Sequence, residues 1–240
     1  MLEEHEIYRD LAFPRHAGEG SARPYVFINM VASVDGRTAV EGKASGLGTA
    51  ADRSVMRTLR SKSDAVMVGG GTLRAEKVSL GLDTDDPRPR PLAVIWTATG
   101  DVGLHRNLVR DPHQSLLVLL SEDADEGVER NLRDLAQVRR VPARAGAMID
   151  TEKALQILKT EYGIDLLLCE GGPTLNHALI SANLADELFV TLAPVLLGGA
   201  ASEAPSITKH HPDGPSGLHL LSAHPIGDEL FLRYAIEGRR

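Results

Sequence analysis

The residues Glu170-Gly171-Gly172-Pro173-Thr174 combine the types and spacing that chemistry needs. They follow a short apolar run, Leu166 to Cys169, that reads as a strand covered on both faces. Gly171 and Gly172 lack a Cβ, so the chain can turn sharply and come close to a ligand. Pro173 suits the first position of a helix, and Leu175, Ala178, Leu179 and Ala182 continue at helical spacing. A helix start beneath glycines offers free N–H donors and a positive dipole end, a setting for phosphate. Glu170 falls at the carboxyl end of the strand, where open α/β sheets take their ligands. The plainer reading of the same residues is a helix-start turn with no ligand.

Other polar residues stand where strands end. Asn29 interrupts the apolar strand YVFINMVA, either as a satisfied core amide or as a donor–acceptor pair facing a planar heterocycle. Asp35 precedes Gly36 just after that strand and reads as a turn cap in preference to a catalytic acid. Arg53, Arg57 and Arg60 alternate with an apolar stripe; such arginines are solvated charges unless one lies near a cleft and holds an anion. The run DAVMVGGG, followed by Thr72, repeats the strand-to-glycine design. The G-x-G-x-x-G dinucleotide fingerprint and the Walker A pattern are both absent. His210 and His211 form no ligand pattern, and no metal is expected.

Composition narrows the class. The chain has 240 residues, 42% apolar and 25% charged, with a net charge of -7. That balance argues against nucleic acid or an anionic membrane as partner. The lone Cys169 excludes an internal disulfide and the P-C-x-x-C zinc site of nucleobase deaminases. The N-terminus lacks an apolar signal region, and no apolar run is long enough to span a bilayer. A cytoplasmic protein is the expectation.

Strands are expected at Tyr25–Ala32, Asp64–Gly71, Leu92–Thr97, Leu116–Ser121, Val138–Val141, Leu166–Cys169 and Glu187–Leu197. In the last of these, Pro194 suggests an edge or a bulge. Thr49 reads as the N-cap of a helix bearing Val55, Met56 and Leu59, with Asp52 three residues on. Glu126–Ala136 reads as a surface helix. Asp150 and Gly163 bracket another. Residues 218–223 and 229–236 read as a terminal antiparallel hairpin. Alternating strands and helices imply an α/β protein with a mixed, mostly parallel central sheet flanked by helices. Residues 1–23 are expected to form an N-terminal arm and 24–240 a single domain.

Four stretches in this order, NMVASVDGR, SGLGTAADR with LRSKSDAVMVGGGT, LLLCEGGPTL and ELFVTLAPVLLGG, resemble one family. It is the C-terminal reductase domain of the bifunctional riboflavin-biosynthesis deaminase/reductase, which has a dihydrofolate-reductase-like fold. The resemblance runs from about Tyr25 to Phe231. It implies an NADPH-dependent reductase that passes hydride to the sugar C1′ of 5-amino-6-(5-phosphoribosylamino)uracil. It further implies that Gly171, Gly172, Pro173 and Thr174 hold the pyrophosphate, that Ala32, Thr49 and Thr72 lie beside the cofactor, and that Thr97 lies near its adenosine phosphate. Leu47 takes a position that is often tryptophan in the family, beside the nicotinamide. Asn29, Ser45, Arg60 and Leu80 fall on the substrate side, with Glu76 and Glu170 as the catalytic carboxylates.

The chain departs from the family after its second glycine turn. Lys77 reverses a charge there, and Asp83 replaces an arginine expected to bind substrate phosphate, which a carboxylate cannot do. Two alternatives follow: reduction of dihydrofolate or another pterin, and a nucleotide-binding protein without catalysis. A homodimer is also implied, with ELFVTLAPVLL as the strand buried between subunits.

Overall fold

A computed structural model describes residues 7–14, 17–40, 42–76, 79–82, 88–103, 113–144, 148–198, 206–208 and 214–237. In chain order the elements are β1 (Tyr25–Ser33), a 3-10 turn at Ala44–Gly46, α1 (Ala50–Ser61), β2 (Ala65–Gly69), α2 (Gly70–Ala75), β3 (Leu92–Thr97), β4 (Leu116–Ser121), α3 (Glu126–Arg133), β5 (Gln137–Val141), the short β6 (Ala143–Arg144) and β7 (Met148–Ile149), α4 (Thr151–Tyr162), β8 (Leu166–Cys169), α5 (Pro173–Ser181), β9 (Glu187–Ala193), β10 (Leu218–Ile226) and β11 (Glu229–Ile236). They divide into two compact units.

The first unit draws on Met1–Arg15, Val26–Leu59 and Cys169–Arg240. Its strands run in the order β10-β11-β9-β1. β9 pairs parallel with β1 and antiparallel with β11, and the C-terminal hairpin β10/β11 completes the set. β9 is therefore an interior strand and not an edge. Glu187–Ala193 of the expected subunit-interface stretch pack almost wholly within the chain, while Val195 and Leu196 at its end are exposed. Pro194 has no N–H to donate and stands just past the last residue, so it ends the strand without a bulge. In this unit the exposed large apolar side chains are Leu218, Leu220 and Leu221 of β10 and, on the loops after β1 and β9, Val34, Val195 and Leu196. Residues 7–14 pack on this unit. Tyr8 meets Phe189 edge-on at 5.1 Å, Phe13 lies 4.5 Å from Phe27, and Arg233 covers Phe13 and Phe189.

The second unit draws on His16–Tyr25 and Arg60–Leu168. Its strands run β8-β2-β3-β4-β5, with β2/β3, β3/β4 and β4/β5 parallel. All residues of β2 and β4 are buried, which explains why these strands read as unbroken apolar runs. Asp150 caps α4 by accepting the Lys153 N–H at 3.0 Å, and Gly163 ends it in the left-handed conformation at φ +69°, both as the sequence predicts. α3 stops at Arg133, short of the predicted Ala136. The small antiparallel pair β6/β7 has no signature in the sequence. With four parallel pairings against two antiparallel ones within the units, the sheet is mixed and mostly parallel.

Candidate active site

In the first unit, the turn after β8 is built for close approach. Gly171 sits at φ +79°, and a Cβ there would lie 2.9 Å from Met30 Sδ. Any side chain at this position is strained by the backbone and meets the β1 side chain. The Gly171–Gly172 peptide is cis. Gly172 occupies the N-cap of α5 and Pro173 its first turn, and no side chain caps this helix start. The turn is anchored from below by Asn176, which is wholly buried. Its Nδ2 donates to the Ile207 carbonyl at 2.8 Å, and its Oδ1 accepts from the Cys169 thiol at 3.5 Å. Burial pushes that thiol up to about 12, which makes Cys169 a packed apolar group and not a nucleophile.

On β1, Asn29 Oδ1 is buried and has no hydrogen-bond partner among the described residues. The satisfied-core-amide reading fails at that oxygen. Ala32 is buried further along β1. Asp35 takes the structural role. It accepts from Ser33 Oγ at 2.6 Å and from the Gly198 and Leu197 N–H groups at 2.8 and 3.2 Å. These bonds, that of Ser33 first, pull its carboxyl down to about 2. The loops after β1 and β9 are tied together in this way.

Leu47 is buried, and Thr49 caps α1 by accepting the Ala51 N–H at 3.1 Å. The Thr49 hydroxyl also donates to Glu229 Oε2. Asp52, expected as a partner in the helix cap, turns instead to Thr191 on β9. A Cβ on Gly48 would run into Asp52 Oδ2, so the glycine is required where the carboxyl packs under the loop. Burial first, then the charges of Glu229 and Glu170, raise the Asp52 carboxyl to about 6, against the bond from Thr191 and the attraction of Arg53. Glu229 is buried, and its Oε1 has no partner among the described residues. This group of Thr49, Asp52, Thr191 and Glu229 was not legible as a site, because its members come from distant parts of the sequence with no shared period.

Five of the sequence-predicted residues belong to the second unit. Arg60 is buried and donates to the Gly81 carbonyl at 2.9 Å. Leu80, beside that carbonyl, is 1% exposed. Thr97 ends β3 and accepts the Gly100 N–H at 3.0 Å. A Cβ on Gly70 would lie 3.2 Å from Thr97 Oγ1 and from Val102 Cγ1, so β3 and α2 meet at a glycine. Thr72 and Glu76 stand on and just after α2, where the Glu76 N–H donates to the Thr72 carbonyl at 2.8 Å. The Ser45 side chain, Lys77, Asp83, His210 and His211 lie outside the described residues.

The sequence model of the family described as RibD C-terminal domain matches residues 24–228. The 2,5-diamino-6-ribosylamino-4(3H)-pyrimidinone 5′-phosphate reductase of Archaeoglobus fulgidus is 32% identical over 190 residues, 75% of this chain and 84% of that protein. The protein of the same name from Methanothermobacter thermautotrophicus is 28% identical over 226 residues, 90% of this chain and all of its own. Among solved structures, a pyrimidine reductase-like protein of Corynebacterium diphtheriae superposes with a TM-score of 0.77 over 99% of this chain and 100% of that one, at 19% identity. The fold is the dihydrofolate-reductase-like one that the four stretches implied.

Proposed function

This chain belongs to the RibD C-terminal domain family, whose members here are oxidoreductases of riboflavin biosynthesis, and from that premise we propose that it uses NADPH to reduce a ribosylaminopyrimidine 5′-phosphate. The observation that carries the reading is the Gly171–Gly172 turn. Its left-handed glycine, the uncapped start of α5 and the unpartnered Asn29 Oδ1 are features that a phosphate-bearing ligand with a polar ring would use. Gly171, Gly172 and the N–H groups of Thr174 and Leu175 would hold the cofactor pyrophosphate, with Ala32, Leu47 and Thr49 beside the nicotinamide. When bound, the cofactor supplies a hydride. The chain supplies position, and the substrate is held for in-line approach at C1′. Asn29 bonds the pyrimidine and Glu170 the sugar. The roles implied for Ser45, Arg60, Thr72, Glu76, Leu80 and Thr97 are proposed on the resemblance alone.

The test is NADPH oxidation with three parallel substrates: the 2,5-diamino pyrimidinone, its deaminated uracil counterpart and dihydrofolate. Turnover of either ribosylaminopyrimidine supports the proposal, and the preferred one identifies which form this chain takes. Turnover of dihydrofolate alone overturns it. Glu170→Gln should lower turnover of the preferred substrate, and an unchanged rate removes Glu170 from the site.

We further propose a homodimer working in the cytoplasm. The apolar row of Leu218, Leu220 and Leu221 on the edge strand β10 supports the dimer, because an edge strand with exposed leucines is a surface for pairing. No helix among the described residues is long and apolar enough to cross a membrane. Sedimentation at working concentration should show the dimer; a monomer there removes this part.

A further inference from the structure

Asp52 and Glu229 have no role in the scheme above, and their surroundings point to a proton. Their bonded partners are neutral hydroxyls, Thr191 for Asp52 and Thr49 for Glu229. Three other charges act on Asp52: Glu229 itself from the start of β11, Glu170 from the end of β8, and Arg53 from α1. Arg53 is exposed and donates to the Gly48 carbonyl at 3.3 Å, so the cation among the described residues that acts on Asp52 is solvated and already engaged. Glu229 is 5% exposed, and its Oε1 keeps lone pairs that no described donor meets. Burial and the charges of Glu229 and Glu170 thus keep a proton on Asp52 to a higher pH than on an ordinary aspartate.

We infer that Asp52 and Glu229 hold one proton in common and that Asp52 delivers it to the ring oxygen of the substrate sugar. The second clause rests on the function proposed above. Reduction of a glycosylamine needs such a proton. The C1′–O4′ bond breaks, O4′ takes the proton and becomes a hydroxyl, and the nitrogen lone pair forms C1′=N. Hydride from reduced nicotinamide then adds to C1′, and the π pair returns to nitrogen. One hydride and one proton are consumed, and the carboxylate left behind recovers its proton from solvent. A neutral carboxylic acid within electrostatic reach of Glu170 is a donor for this step that a solvated aspartate is not.

Two measurements on the full chain test this. In the free protein, the infrared carbonyl stretch of a neutral carboxylic acid should outlast the ordinary carboxylates as pH rises, fading near 6. It should be missing in Asp52→Asn, and its midpoint should move down in Glu229→Gln, which removes the like charge. A midpoint in the ordinary carboxylate range, or one indifferent to Glu229→Gln, overturns the shared proton. In turnover, kcat should fall as pH rises through the infrared midpoint, and Asp52→Asn should lose that limb together with about 100-fold in kcat. A variant that keeps both the rate and the limb overturns proton delivery. Absence of wild-type turnover on either ribosylaminopyrimidine overturns the proposed function instead, and the infrared midpoint still decides the pair.

Discussion

Asp52→Asn should flatten the dependence of stability on pH, and the structure sets the size of the effect. The carboxyl is raised from 3.8 to about 6 in the folded chain. Between those values the native state keeps a proton that the unfolded state has released. Stability therefore falls as pH rises through this window, and the loss is complete above about 6. A rise of about two units corresponds to about 3 kcal/mol. Below the window, Asp52 is neutral in both states and costs nothing. Asparagine has no charge to bury at any pH. Urea unfolding of wild type and variant at pH values on either side of the window gives the two differences in stability. The variant should gain about 3 kcal/mol relative to wild type in going from the acid to the alkaline side. An equal difference at both ends would refute the reasoning, because the carboxyl would then ionise alike in folded and unfolded chains.

Three further outcomes follow from other parts of the first unit. Gly171→Val places a branched side chain at φ +79° against Met30 Sδ and should weaken NADPH binding, measured by fluorescence titration, by at least about tenfold. Glu187→Gln should cost about 3 kcal/mol in chemical denaturation, because it leaves the Arg233 guanidinium without the carboxylate that it grips at 2.7 Å through both Nε and Nη2. For Asp35, held down to about 2, the sign is opposite to that of Asp52. Its bonds stabilise the fold above the ordinary aspartate range and are lost as pH falls toward 2, so Asp35→Asn should blunt the acid limb of a thermal-melt series.

The strands were legible because the second unit buries them on both faces, leaving unbroken apolar runs such as Leu116–Ser121. Helix ends were legible where a single residue decides them, at Asp150 and Gly163. The glycine turn at 171–172 was legible for the same reason: a local conformation demands a residue type. What flanks a strand is not local. Nothing near Glu187 tells that β1 and β11 lie on either side of it, so Pro194 suggested an edge or a bulge while the strand's actual neighbours stand far away in sequence. The carboxyl pair escaped for the same reason. Asp52 carried the spacing of a helix cap, and only the arrival of Thr191 and Glu229 from β9 and β11 changes what its carboxyl is for.

The central claim is reduction at the sugar. It is tested most directly by turnover with NADPH carrying deuterium at the transferring position of nicotinamide C4, followed by location of the label in the product by NMR. The deuterium is expected at C1′ of a ribityl chain, with the pyrimidine ring unlabelled. Label in the ring, or a product that keeps its closed ribose, would contradict it.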